Sequence, residues 1–292
     1  MTSFQNSRSL DVQSILHRYS IFPNKKLGQN FLIDPESLAK VVEAADIRPG
    51  ESVLEIGPGL GSLTLLLAEK ARRVVAVEID RKLIPPLKEV LASRSNVQVI
   101  QGDILKLDLT QLMAGNQPVL IEDYLLVANI PYYITSSLIR RLLETDRPPL
   151  RLVLTVQKEV AERICATPGK MSLLALSVQV YGYPKVISLI PSNAFYPPPE
   201  VDSAVIHVDI HPDPKIPPVL LPTFFRLAKA GFSQKRKNLR NALSGGMGWK
   251  TPYTDTLLNV VGIDPTRRAQ TLSLPEWERL SEVVNSRSDL SG

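Results

Sequence analysis

One cysteine, Cys165, stands in 292 residues, so no internal disulfide can form. Histidine is nearly as scarce: His17, His207 and His211 are scattered without metal-ligand spacing, and no bound metal is expected. No apolar run approaches the ~18 to 20 residues that span a bilayer, and the first twenty residues are polar, broken by charges and without the apolar stretch of a secretory signal. These absences argue against a membrane or exported protein and for a cytoplasmic one. No internal repeat and no oligomerisation signal is visible, so a monomer is expected.

Charge is present, and its location matters more than its sum. Of the 34 Lys+Arg and 29 Asp+Glu residues, 12 and 7 fall in residues 213–292, which leaves 22 of each before them. The whole excess of +5 therefore belongs to the last eighty residues, which points to an acidic partner for that part, nucleic acid being the commonest.

Strand-like apolar runs alternate with helical stretches at 52–56, 73–78, 97–100, 124–128 and 152–156, the pattern of a parallel sheet with helices on both faces. A longer alternating run at 201–210 follows a Pro-rich turn and is expected to pair antiparallel at or near a sheet edge. His211 to Pro222 holds five prolines in twelve residues, which continue neither a helix nor a central strand. Helical pattern follows at 223–230, 235–243, 254–261 and 275–284. The expected fold is α/β, a mostly parallel Rossmann-like sheet with one antiparallel strand. A larger domain over 1–212 precedes a small basic helical domain over 213–292.

Leu54-Glu-Ile-Gly-Pro-Gly-Leu-Gly-Ser62 follows a strand and opens a helix, where glycines let a nucleotide approach the backbone. The dinucleotide fingerprint would put its third glycine at 62, but Ser62 stands there and the glycine is at 61, which disfavours NAD. Glu78, Asp103 and Asn129 end the next three strand units, at spacings of 21, 25 and 26 residues counted from Gly57, so all four converge on the carboxyl edge of the sheet. Glu78 suits two ribose hydroxyls, and Asp103 an adenine amino group. Gly57 and Gly59 would give the close backbone approach.

Asn129-Ile-Pro-Tyr132 is the most specific signal. An adenine N6 lone pair is delocalised into the ring, so methylating it requires acceptors for the amino hydrogens. Asn129 Oδ1 and the Ile130 carbonyl suit that task, Pro131 fixes the turn, and Tyr132 offers a stacking face. Phe195 in Phe195-Tyr-Pro-Pro-Pro-Glu-Val-Asp-Ser203 is a candidate second wall, although such a Phe enters a core as readily. Lys235, Arg236, Lys237 and Arg240 cluster within six residues and are the expected RNA contacts, with Arg236 and Arg240 placed i and i+4 on a helix.

Together with Lys25-Lys-Leu-Gly-Gln-Asn30-Phe-Leu32-Ile-Asp34, Gln157-Lys-Glu-Val, Phe232 to Leu243 and Asp264-Pro-Thr-Arg-Arg268, these motifs resemble the ribosomal RNA adenine dimethyltransferases over nearly the whole chain, and within them the bacterial small-subunit branch. The resemblance implies a class I methyltransferase fold with a methyltransferase domain over 1–212, and S-adenosyl-L-methionine as cofactor. It also implies N6,N6-dimethylation of two neighbouring adenosines in the 3′-terminal hairpin loop of 16S rRNA within the assembling small ribosomal subunit. It assigns Asn30 and Leu32 to cofactor contact. Two departures stand out: Pro85-Pro86 interrupts the helical stretch 81–91, which should kink or start late, and Ile130 replaces the Leu common in small-subunit members. The competing readings are a large-subunit dimethyltransferase, which the C-terminal motifs fit less well, and a non-catalytic RNA-binding factor on the same fold, which would not need Asn129.

Overall fold

The computed structural model describes residues 10–114, 123–129, 135–145, 147–234 and 236–288. They divide into two compact units, Met1–Ala161 with Lys185–Ile210, and Glu162–Pro184 with His211–Gly292. A reading by sequence position ends the first part at 212, but in space residues 162–184 belong with the second unit. That segment carries the helix Leu173–Gln179, which contacts the helix Leu221–Phe232 of the same unit.

Nine strands are described: β1 (Phe31–Leu32), β2 (Ser52–Ile56), β3 (Arg73–Glu78), β4 (Val97–Gln101), β5 (Tyr124–Asn129), β6 (Arg151–Gln157), β7 (Gly182–Ile190), β8 (Phe195–Tyr196) and β9 (Ser203–Ile210). Seven form one sheet in the order β4-β3-β2-β5-β6-β9-β7, while β1 pairs antiparallel with β8. The pairs β2–β3, β2–β5, β3–β4 and β5–β6 are parallel and β6–β9 is antiparallel. The order reverses at β2, the switch point at which ligands of such sheets bind beyond the carboxyl ends of the strands.

β2, β5 and most of β3 and β6 are buried on both faces, as parallel strands under helices must be. The antiparallel strand 203–210 lies next to the edge rather than on it. The edge is β7, which the sequence pattern does not announce, because Pro184 and the polar positions break its alternation; an edge strand tolerates both. The two prolines at 85 and 86 do delay their helix: it runs Ile84–Val90 with both in the first turn, where no amide donor is needed.

In the second unit the helices Leu221–Phe232, Leu239–Met247, Thr251–Val260 and Leu274–Ser288 surround buried Phe224, Leu243, Leu258 and Trp277. A Cβ on Gly231 would lie 2.8 Å from the Trp277 ring, so helix packing there requires glycine. Among the described residues no helix is long and apolar enough to cross a membrane.

Candidate active site

The glycine turn after β2 is built by backbone conformation. Gly57, Gly59 and Gly61 have φ of 70°, 60° and 93°, and a Cβ on Gly59 would also meet the Phe31 ring at 2.9 Å. The Gly57 amide donates to the Val77 carbonyl at 3.0 Å, holding the turn beside the end of β3. There Glu78, only 4 % exposed, accepts from the Gly59 amide (3.1 Å) with one carboxylate oxygen and from the Asp80 amide (2.8 Å) with the other. Burial raises its pKa above the ordinary value, and those amide bonds oppose the rise.

Around this turn lies a cleft of about 840 Å³, counting the solvent at its open mouth. Its walls include Asn30, Leu32, Gly57, Gly59, Glu78 and Asn129, so six of the expected cofactor residues meet at one place. Asn129, the last residue of β5, donates its side-chain amide to the Asn30 carbonyl at 3.1 Å. That bond sets the orientation of the amide and leaves Oδ1 as its acceptor end. Asn30 in turn donates to the Gly28 carbonyl at 3.3 Å.

Asp103 is not among the residues lining this cleft. It follows β4, whose neighbour Gly102 donates to the Glu78 carbonyl at 2.9 Å, but its carboxylate caps a local turn, accepting from the Leu105 amide at 3.0 Å.

Two expectations need correction. Phe195 is 3 % exposed, paired through β8 with Leu32, and packs in the core with Leu38, Val41 and Leu63, the placement of a core residue and not of an exposed stacking wall. Arg236 and Arg240 are not i and i+4 on one helix, because the helix starts at Leu239 behind an Asn238 cap whose side chain accepts from the Asn241 amide. Arg236 and Lys237 are exposed in the turn before it, and Arg240 faces Asp255 at 3.4 Å. Ile130, Pro131, Tyr132 and Lys235 lie outside the described residues.

Glu55 was not singled out by spacing, yet it lines the cleft from the middle of β2 and is 1 % exposed. Its Oε2 is buried without a hydrogen-bond partner. Burial pushes its pKa from the ordinary 4.5 up to about 8, the Thr64 hydroxyl opposes this, and the Glu78 carboxylate adds to it. The available signal was a lone carboxylate inside an otherwise apolar strand covered on both faces.

Residues 23–281 match the family model for ribosomal RNA adenine dimethylase. A ribosomal RNA small subunit methyltransferase A from Dehalococcoides mccartyi is 46% identical over 268 residues, covering 92% of this chain and 90% of its own length. The enzyme of the same name from Alkaliphilus metalliredigens is 43% identical over 281 residues, covering 94% and 96%. Among solved structures, a dimethyladenosine transferase from Plasmodium falciparum superposes with a TM-score of 0.74 at 25% identity, over 88% of this chain and 98% of that one. The 23S rRNA methyltransferase ErmE gives 0.69 at 27%, over 88% and 100%. The chain belongs to the ribosomal RNA adenine dimethylase family.

Proposed function

We propose that this chain is an S-adenosylmethionine-dependent enzyme that dimethylates N6 of adenosines in small-subunit ribosomal RNA, its targets being the two neighbouring adenosines of the 3′-terminal hairpin of 16S rRNA. The observation that carries this reading is the junction of two sites in one cleft. Glycine backbone and a buried Glu78 suit a nucleoside, and Asn129 stands oriented at its wall.

The residues fit the cofactor. Both Glu78 oxygens keep further lone pairs for ribose hydroxyls, and Glu55 Oε2 is an orphaned buried acceptor that an ammonium group would satisfy. Asp103, two residues past β4, would reach an adenine amino group only by releasing its turn. Bound there, S-adenosylmethionine supplies an electrophilic methyl group on a sulfonium sulfur.

Asn129 Oδ1 accepts from the target N6–H and stabilises positive charge as it develops on that nitrogen, an interaction stronger in the transition state than before it. Ile130, Pro131 and Tyr132 of the same motif complete the base pocket in this reading. No strong general base is needed, because the methylated amine is acidic and its proton leaves to water. Arg236 and Lys237, exposed before the helix Leu239–Met247, are the described cations of the cluster offered to phosphates. An enzyme of this substrate works in the cytoplasm. The identity of the relatives over most of their length favours the small subunit over the large.

Tritium transfer from labelled S-adenosylmethionine to immature small subunits, followed by digestion and mass analysis of nucleosides, tests the proposal. N6,N6-dimethyladenosine is expected. Label in another nucleoside, or none, would overturn it.

A further inference from the structure

We propose that the loop from Phe22 to Lys26 is a surface for single-stranded RNA, with Phe22 stacking on a nucleotide that flanks the target and Lys25 and Lys26 holding its phosphates. The inference rests on the reading of the chain as an RNA methyltransferase and adds a contact element to it.

Phe22 is 87 % exposed, the most exposed of the large apolar side chains described, while its neighbour Ile21 is buried against Leu60, Leu83 and Phe31. An isolated apolar side chain at a surface is ordinary in itself. Here, however, the ring is displayed on a loop fastened at several points. The Ile21 amide donates to the Leu16 carbonyl (2.9 Å) and the Leu27 amide to the Asn24 carbonyl (3.0 Å). Asn24 Oδ1 accepts from the Lys26 amide at 3.0 Å, and Gln29 Oε1 accepts from the Asn24 amide at 2.7 Å. Pro23 stiffens the link after the ring.

The chain runs on from this loop into the cofactor cleft: Leu27, the last residue of the short helix Lys25–Leu27, lines it together with Gly28, Gln29 and Asn30. Gln29 Nε2 donates to Asp80 Oδ2 at 2.7 Å, and the Asp80 amide donates to Glu78, so the loop is tied to the ribose-site carboxylate. Asn129 lines the same cleft as this stretch and donates to the Asn30 carbonyl at 3.1 Å, so a base presented to Asn129 comes close to the chain that leads out of the loop. Lys25 and Lys26 are exposed there and belong to the unit without net basic excess, so their placement beside a bare aromatic ring stands out. A rigid aromatic next to cations is what unpaired nucleotides are held by: every base has a face to stack, and the phosphates supply the charge.

The test uses the full chain, immature small subunits as substrate and a short adenosine-containing oligoribonucleotide as a second probe. Phe22→Ala should raise KM for subunits about tenfold, the effect of one base's stacking, with kcat and S-adenosylmethionine affinity within about twofold of the parent. Phe22→Tyr should restore KM. The Lys25→Ala, Lys26→Ala double variant should lower the slope of log affinity against log salt for the oligonucleotide by about 1.4, two single-strand phosphate contacts. Unchanged KM in Phe22→Ala together with an unchanged salt slope would overturn the proposal. So would a fall in cofactor affinity that matches the rise in KM, since the loop would then be a cofactor wall only. If the parent chain methylates no RNA, the functional reading fails; oligonucleotide binding lost in Phe22→Ala would still support the surface, and binding retained would overturn it.

Discussion

The cleft carboxylates of the first unit and Glu276 of the second are used in opposite ways. In the first unit Glu55 and Glu78 are buried at the ends and middle of parallel strands, no cation within hydrogen-bond distance is seen among the described residues, and both pKa values are raised. In the second, Glu276 receives the Arg267 guanidinium on both oxygens, at 3.2 Å for the longer contact, together with the Ser273 amide, and its pKa falls from 4.5 to about 2. A part-buried acid supplied with a cation by its own chain is a staple. A buried acid left without one has its affinity to spend on a ligand. Arg267 and Arg240 are engaged inside the unit by Glu276 and Asp255, so the basic excess of the last eighty residues is carried by its other cations.

The largest effect that would break this comparison is in stability against pH. With a folded pKa near 8 against 4.5 unfolded, Glu55 binds more protons in the folded state between those values. Its contribution is complete below about 4.5 and is lost as pH rises through about 8, at up to about 1.4 kcal/mol per pH unit. Glu276 has the opposite sign: its contribution is present above about 4.5 and is lost as pH falls toward 2. Hydrogen exchange resolved by unit should show the first unit losing protection toward pH 8 and the second toward acid. Glu55→Gln should flatten the former alone. An unaltered profile in that variant would mean Glu55 is ionised in the cofactor-free protein.

Phe195→Ala comes next, at about 3 to 5 kcal/mol of stability, because it empties a core position rather than a base-stacking one. Chemical denaturation measures this; a fully stable variant with turnover reduced a hundredfold would restore the ring to the base pocket. Glu78→Ala should weaken S-adenosylmethionine binding by about 1.5 to 3 kcal/mol in calorimetry, the range for a lost charge-assisted bond. Unchanged affinity in a folded variant would remove Glu78 from the site. Asn129→Ala should keep most of that affinity while turnover falls and monomethyladenosine accumulates, since the second transfer has one N–H fewer to hold; full dimethylation at the parent rate would end the assignment. The smallest effect belongs to Arg240. Paired with Asp255 on a partly exposed surface, it should change the salt dependence of RNA binding less than Arg236→Ala or Lys237→Ala does, and equal slopes for all three would return it to the RNA surface.

Much of the site was legible because parallel strands bury both faces and end at one edge, so strand spacing alone brings Gly57, Glu78 and Asn129 together. Spacing does not direct attention to Glu55, which lies within a strand rather than at its end. The periodic stretch places Arg236 and Arg240 on one helix because it gives no sign that Asn238 caps it so late.

The sequence by itself determined the alternation of strand and helix, the glycine turn and the late start of the helix at Ile84, since each depends on local conformational limits of glycine, proline and short apolar runs. Only the tertiary structure decided that residues 162–184 join the second unit, that β7 takes the sheet edge, that Phe195 is buried and that Asn129 is oriented by Asn30 across 99 positions of chain. Those are contacts between distant segments, and what a side chain faces there is set by packing against partners that no local pattern names.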